Sequence, residues 1–345
     1  MKEKKITQDD VAKKAGVTRS MVSYVLNGSD RSVAQETREK ILQAIEELGY
    51  RPNKFAQSLS SGNDLIAGNR IGLVLTSADM FLRPYYAEMI AGIHSAAHEN
   101  KYHVSFIRFF EELKNPILFN ELIHPEEICG LILLSTDICI QTENDRQIIE
   151  KIKERIDKIV CVEWQYEGLS SVNFDRKEAE VKAVNYLFEK GHDDIAYIGE
   201  QDERVLGFKE AHVLKGIQNI EKLYIDSAND MESGYQAASN VLKLYIQGKL
   251  KNLPNAISCG SDEVAIGVMR CLNQNHIAVP ETVAVISIDN IEMSEYTNPP
   301  LTTINVQKRL MGARAVEMIV NESAKQNENA MTINLPLMII ERKSA

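Results

Sequence analysis

The sequence predicts a small all-α head joined to an α/β core built from two parallel-sheet subdomains, and three observations carry that prediction. The first fifty residues hold three short helical patterns with no strand pattern between them. From Arg70 onward, short apolar runs alternate with amphipathic stretches of helical length, the pattern of parallel sheets covered on both faces. Charge divides at the same place. Residues 1–62 hold 11 Lys/Arg and 8 Asp/Glu, whereas the whole chain carries −10, so a basic head precedes an acidic body. A length of 345 residues is too great for one small module and implies two or three domains with sizeable cores.

In the head, Thr7 is a good N-cap and Asp10, three residues on, completes a capping box. Val11, Ala12 and Ala15 form an apolar stripe, and Gly16 stops the helix at a tight turn. Thr18 caps a second helix whose Val22, Val25 and Leu26 share one face. Two short helices across a glycine turn, the second polar on its outer face, make a helix-turn-helix. That face offers Thr18, Arg19, Ser20, Ser23 and Tyr24, all able to hydrogen-bond base edges or phosphates. An ordinary helical hairpin with a solvated face is the other reading of this segment taken alone. A third helix, Gln35 to Leu48, puts Thr37, Ile41, Ala44, Ile45 and Leu48 on one face and ends at Gly49.

These residues carry a resemblance. Asp10-Val-Ala-x-x-Ala-Gly-Val17, Ser23-x-Val-Leu-Asn27, Thr37-Arg-Glu-Lys-Ile41, Leu48-Gly-Tyr-Arg-Pro-Asn53 and Ala56-Gln-Ser-Leu59 resemble the N-terminal domain of the lactose-repressor/galactose-repressor (LacI/GalR) family of bacterial transcription factors. The resemblance implies that the second helix enters the major groove, with Arg19 and Ser20 choosing the base sequence. Two departures stand out. Tyr24 replaces a more usual arginine, and Arg19 either takes over part of that reading or grips a phosphate. Ala34 replaces a capping serine, a change expected to cost about 1 kcal/mol of local stability.

Residues 1–50 are thus expected to be the DNA-binding head and 51–69 a hinge helix and linker. A hinge of roughly eight residues cannot hold a helix alone in water. The family pairs two hinges on DNA, where a leucine from each wedges into the minor groove. Leu59 fits that position, with small Ala56 allowing close approach. The DNA-contacting set implied by the resemblance is Thr7, Thr18, Arg19, Ser20, Ser23, Tyr24, Asn27, Asn53, Ala56 and Leu59. Met1 to Lys5 is a short basic arm.

Residues 70–345 are expected to be the effector-binding and dimerisation core. Strands are expected at Ile71–Leu75, Val104–Ile107, Gly130–Leu134, Ile159–Val162, Ile195–Ile198, Leu223–Ile225, Ala256–Cys259, Val283–Ile288 and Met331–Leu337, with helices between them. Gly191-His-x-x-Ile-Ala-Tyr-Ile-Gly199, Arg204-x-x-Gly-Phe208, Ser261-Asp-x-x-Ala-Ile-Gly267, Ser287-Ile-Asp-Asn290 and Pro300-Leu-Thr-Thr-Ile304 extend the resemblance over nearly the whole chain. The core is similar to two Rossmann-like subdomains of the periplasmic-binding-protein type. Their expected composition is about 70–172 plus 305–326 and about 173–304 plus 327–345, with crossings near Val172–Phe174, Thr302–Asn305 and Gln326–Ala330. Arg108–Glu127 matches least well.

In such folds ligands sit between the subdomains at the carboxyl ends of strands. Tyr85 and Tyr86, expected in the loop after the first strand, can stack on a sugar ring or a base. Glu163 and Trp164, the single tryptophan, follow the fourth expected strand directly. Asp175, Arg204 and Asp289 occupy strand ends or helix starts in the second subdomain. Acids facing one arginine satisfy several hydroxyls at once, which suits a sugar or sugar derivative. Arg204 and Asp289 lie in the best-matched motifs.

Other chemistry finds little support. No GxGxxG or Walker-A pattern follows a strand, and no nucleophile elbow or Cys–His arrangement stands out. His94 and His98 have metal-capable spacing without an evident third ligand. The five cysteines are widely spaced, mostly in apolar runs, as in a reducing cytoplasm. No apolar run has transmembrane length and no export signal is evident. A sugar-transport protein would need a signal peptide and no helix-turn-helix; an enzyme would need a catalytic set. The expectation is a cytoplasmic homodimeric regulator, most often a repressor in this family, that binds a pseudo-palindromic operator and a small-molecule effector, with no cofactor and no metal.

Overall fold

The computed structural model describes residues 6–26, 33–50, 69–217, 224–321, 323–324 and 330–345. In the head, helices α1 (Gln8–Ala15), α2 (Arg19–Leu26) and α3 (Gln35–Leu48) close around Val11, Val22, Val25, Ile41, Ile45 and Tyr50. The capping box at Thr7 forms, with Asp10 Oδ2 accepting from Thr7 N at 2.8 Å. Gly16 ends α1 at φ 66°, a left-handed turn that a side chain would strain. Ala34 stands at the N-cap of α3 and supplies no side-chain bond.

The chain divides into two compact units. The first comprises residues 1–83, 89–172 and 309–332, the second 84–88, 173–308 and 333–345. The first unit holds β1 (Arg70–Leu75), β2 (His103–Phe109), β3 (Gly130–Leu134), β4 (Ile159–Val162), β5 (Ser170–Asn173) and β11 (Thr332–Asn334) in the order β11-β5-β4-β3-β1-β2. The second holds β6 (Ile195–Gly199), β7 (Tyr224–Asp226), β8 (Ala256–Cys259), β9 (Ala284–Asp289), β10 (Thr302–Asn305) and β12 (Met338–Ile340) in the order β12-β10-β9-β8-β6-β7. Corresponding strands therefore take corresponding places. In each sheet the order reverses once, between β1 and β3 and between β6 and β8, and in doubly wound sheets ligands bind outside the carboxyl ends at such a point. Strands β3, β6 and β9 are buried along their whole length, as parallel strands covered on both faces must be.

The helices are α4 (Pro84–Glu99), α5 (Pro116–Leu122), α6 (Glu143–Arg155), α7 (Arg176–Glu189), α8 (Glu203–Leu214), α9 (Met231–Ile246), α10 (Asp262–Gln274) and α11 (Lys308–Val320). Asp175, Asp202, Asp230 and Ser261 cap the four consecutive helices of the second unit. Glycines let helices touch backbone to backbone. A Cβ on Gly207 would lie 2.2 Å from the Lys177 carbonyl, and one on Gly267 would lie 1.9 Å from that of Met231.

The structure departs from the sequence expectation in four places, and the first is Ser170–Asn173, next to an expected crossing, which is strand β5 paired in parallel with β4. The single closing strand at Met331–Leu337 is two strands, β11 in the first sheet and antiparallel β12 in the second, separated by Pro336, which has no N–H for a ladder. Thr302–Asn305 is not a connecting segment but strand β10, paired in parallel with β9. The passage back to the first unit falls between Lys308 and Arg309, and the return to the second between Thr332 and Ile333. Within the poorly matched Arg108–Glu127, Phe110–Lys114 is a 3-10 turn and α5 follows, capped by Asn115.

Candidate functional site

On the head, Thr18, Arg19 and Ser20 are exposed and Ser23 and Tyr24 half-buried. The Arg19 side chain is 67% exposed, and only loosely tied, at 3.5 Å from Gln8 Oε1 and 3.7 Å from Asp9 Oδ2. It is therefore available to a base edge or a phosphate. Thr7 and Thr18 serve first as caps, Thr18 Oγ1 accepting from Met21 N at 3.4 Å. Asn27, Asn53, Ala56 and Leu59, and with them the hinge, lie outside the described residues.

At the carboxyl end of the first sheet, the residues following β1, β3 and β4 form a polar row. Thr76 Oγ1 donates to the Ser135 carbonyl, and Ser135 Oγ donates to Glu163 Oε2 at 2.7 Å. Ser135 (φ 48°) and Glu163 (φ 73°) both hold the left-handed backbone, which is rare without glycine and accumulates at functional sites. Thr76 and Ser135 sit where this sheet's order reverses. Trp164 turns the other way. It is 7% exposed, donates Nε1 to the Leu133 carbonyl at 3.0 Å, and joins the hydrophobic cluster of Ile149, Ile152 and Cys161. One edge of it also lines a separate cleft of about 560 Å³ with Asp137, Arg146, Lys153 and Tyr166, to which Glu163 does not contribute.

In the second sheet Arg204 takes the corresponding place. It is 6% exposed, and its fork is engaged by Asp202, with Nε 2.9 Å from Oδ1 and Nη2 2.8 Å from Oδ2. Nη1 donates to the Gly260 carbonyl just beyond β8, and Nη2 lies 3.4 Å from Glu200 Oε2. Burial opposes the guanidinium charge, but Asp202 and Asp289 add to the field that maintains it. Asp289 itself is 8% exposed at the end of β9, at φ 124°, and Asn290 follows at φ 54°. This strained turn is held from several sides. Buried Lys308 donates to the carbonyls of Asp289 (2.6 Å) and Asn290 (3.0 Å), Asn290 N donates to Thr303 Oγ1 (3.2 Å), and Ile291 N donates to Asp262 Oδ2 (2.7 Å). Burial raises Asp262 to about 6 against the pull of its donors, the Ser287 and Thr303 hydroxyls and Ile291 N.

The remaining sequence candidates are dispersed. Asp175 is exposed and its Oδ1 accepts from Glu178 N at 2.8 Å, capping α7. Tyr85 and Tyr86 are not in a loop but in the first turn of α4, edge-on to each other with ring centres 5.2 Å apart. His94 and His98 lie on the exposed face of that helix.

Residues 7–53 match the family model described as bacterial regulatory proteins, lacI family, and residues 184–345 match that of a periplasmic binding protein-like domain. The HTH-type transcriptional repressor PurR of Erwinia tasmaniensis is 30% identical over 353 residues, which cover 98% of this chain and 96% of that one. The chain belongs to the lacI family of bacterial regulatory proteins. The PurR repressor of Edwardsiella ictaluri is 28% identical, over 98% of this chain and 96% of its own. Among solved structures, a complex of the transcriptional regulator CelR with cellobiose is similar with TM-score 0.68 and 26% identity, covering 99% of this chain and 100% of the other. The lac repressor dimer bound to operator and the anti-inducer ONPF is similar with TM-score 0.67 and 25% identity, covering 99% of each chain.

This lacI-family protein is thus a DNA-binding transcriptional repressor with an effector-binding core, and not an enzyme. Among the described residues no helix is long and apolar enough to cross a membrane. Sequence reasoning singled out Arg204 and Asp289 but missed Asp202, Glu200, Ser135 and Lys308. Asp202 was accessible from its position, since an aspartate at the N-cap two residues before an arginine can reach both the backbone and the guanidinium. Lys308 carried no such signal.

Proposed function

We propose that the protein represses transcription as a homodimer on a pseudo-palindromic operator and answers to an uncharged polyhydroxylated effector, a sugar or sugar derivative. The observation that carries the effector reading is the Arg204 cluster. One buried guanidinium is set against Asp202, Glu200 and Asp289. The surplus of carboxylate favours hydroxyl donors and opposes phosphorylated or carboxylated ligands. The reading gains support from the cellobiose complex of the similar CelR. Arg204 and Asp289 are the principal effector residues, with Glu163, Tyr85 and Tyr86 as further contacts; Trp164 and Asp175 already have structural partners. On the DNA side, the reading takes Arg19, Ser20, Ser23 and Tyr24 into the major groove and Leu59 to the central step.

Dimerisation is supported by the dimer of the similar lac repressor. The effector acts by binding one of two conformations more tightly, the only way a ligand shifts an equilibrium. The test is a footprint on DNA upstream of the protein's own gene, with and without a panel of sugars and purines. A protected palindrome whose occupancy changes with a neutral sugar is the expected result. A response to a purine alone would replace the sugar reading, and no specific binding by a folded protein at low salt would end the operator reading.

Arg204→Ala is expected to remove the effector response in that footprint while leaving operator protection in place. Leu59→Ala is expected to weaken operator binding and spare effector binding, as compared by titration of each variant.

A further inference from the structure

The last turn of α3 is capped within its own head by the N–H groups of Gly49 and Tyr50, and it is also gripped from outside the head. A helix C-terminus carries partial negative charge and unpaired carbonyls, and it favours cations and N–H donors. Here the turn holds Glu46 and Glu47 and no basic residue. Lys14 of α1 pairs with Glu47 at 2.6 Å, and Gly49 returns its N–H to the carbonyls of Ile45 and Glu46.

Further partners come from the first α/β unit. Asn120 on α5 is 2% exposed and donates Nδ2 to the Ile45 carbonyl at 3.3 Å, a cap supplied from 75 residues away. Lys151 on α6 forms an ion pair with Glu46. Ile117, also on α5, packs against the apolar cluster of the head.

We propose that α5 and the Lys151 edge of α6 form a seat for the DNA-binding head. The seat grips the C-terminal end of α3 and leaves Thr18, Arg19 and Ser20 exposed. It gives the α/β unit a direct hold on the head, in addition to the covalent path through residues 51–69. It also gives a role to the segment 108–127, which departs most from the family pattern and supplies both Ile117 and Asn120.

The test is hydrogen exchange of the full-length protein without DNA, read by mass spectrometry over residues 41–50 and 116–122, with 130–134 as internal reference. Glu46→Lys and Lys151→Glu each set like charges face to face across the seat. Both residues are surface-exposed, so neither change threatens folding. Each single variant should exchange about two- to fivefold faster in both segments, the span of an exposed ion pair. The double variant Glu46→Lys/Lys151→Glu should return both to the wild-type rate. Asn120→Asp, which puts a carboxylate against the Ile45 carbonyl, should accelerate the same two segments. Single variants at wild-type rates, or a double variant as fast as the singles, would overturn the seat.

Discussion

Glu180 lies on α7 with both carboxylate oxygens buried, its Cβ facing Gly207 of α8. Burial pushes its pKa up to about 8 from 4.5, with the Ser258 hydroxyl and the Arg204 charge pulling the other way. The folded protein therefore keeps a proton that the unfolded chain releases, and stability falls as pH rises from about 4.5 to about 8. The slope from this one group is at most about 1.4 kcal/mol per pH unit. Glu180→Gln should flatten that dependence, so urea unfolding at pH 5 and pH 8 should show the variant gaining on the wild type at the higher pH. Single residues were legible in the sequence where a motif framed them, as with Arg204 and Asp289. Their partners were not, because the Gly260 carbonyl and the Lys308 ammonium reach them only once β8, β9 and α11 are in place.

At the scale of elements, most helices and strands were legible from apolar periodicity and caps. The closing strand was misjudged because an apolar run from Met331 to Leu337 does not reveal that its two halves join different sheets. Helix α5 was missed because seven residues after a 3-10 turn carry too short a pattern. Two element-level predictions follow from packing. Ala34→Ser should supply the missing cap of α3 and stabilise the head by about 1 kcal/mol, measured by thermal unfolding. Gly207→Ala should destabilise the second unit by about 1–3 kcal/mol, since its Cβ would meet the Lys177 carbonyl and α7 would have to move off α8. Denaturant unfolding would reveal a shifted midpoint; an unchanged midpoint would mean that the crossing yields without cost.

For the whole molecule, charge is the feature most plainly written in the sequence. Residues 1–62, at +3 on a body of −13, should bind DNA through few phosphate contacts. Operator affinity should therefore fall with salt along a shallow log–log slope, which fluorescence anisotropy between about 50 and 200 mM salt would measure. A slope as steep as that of a strongly basic protein would place further phosphate contacts outside the head. The fold class was legible because alternating strands and helices leave few arrangements open. The matching strand order of the two sheets was not, because no repeat in the residues announces it.

Both α/β units are assembled from separated stretches of chain, the first needing 309–332 and the second 333–345. The last stretch is structural, since Ser344 is fully buried, donating Oγ to the Val285 carbonyl and accepting from Thr302 N. A ribosome that has translated as far as β10 has therefore finished neither unit. At about 5–20 residues per second, Gly130 of β3 waits many seconds for Ile319 of α11, which packs against it. During that interval the nascent polypeptide exposes apolar sheet faces, so its yield in the cell depends on what shields an unfinished chain.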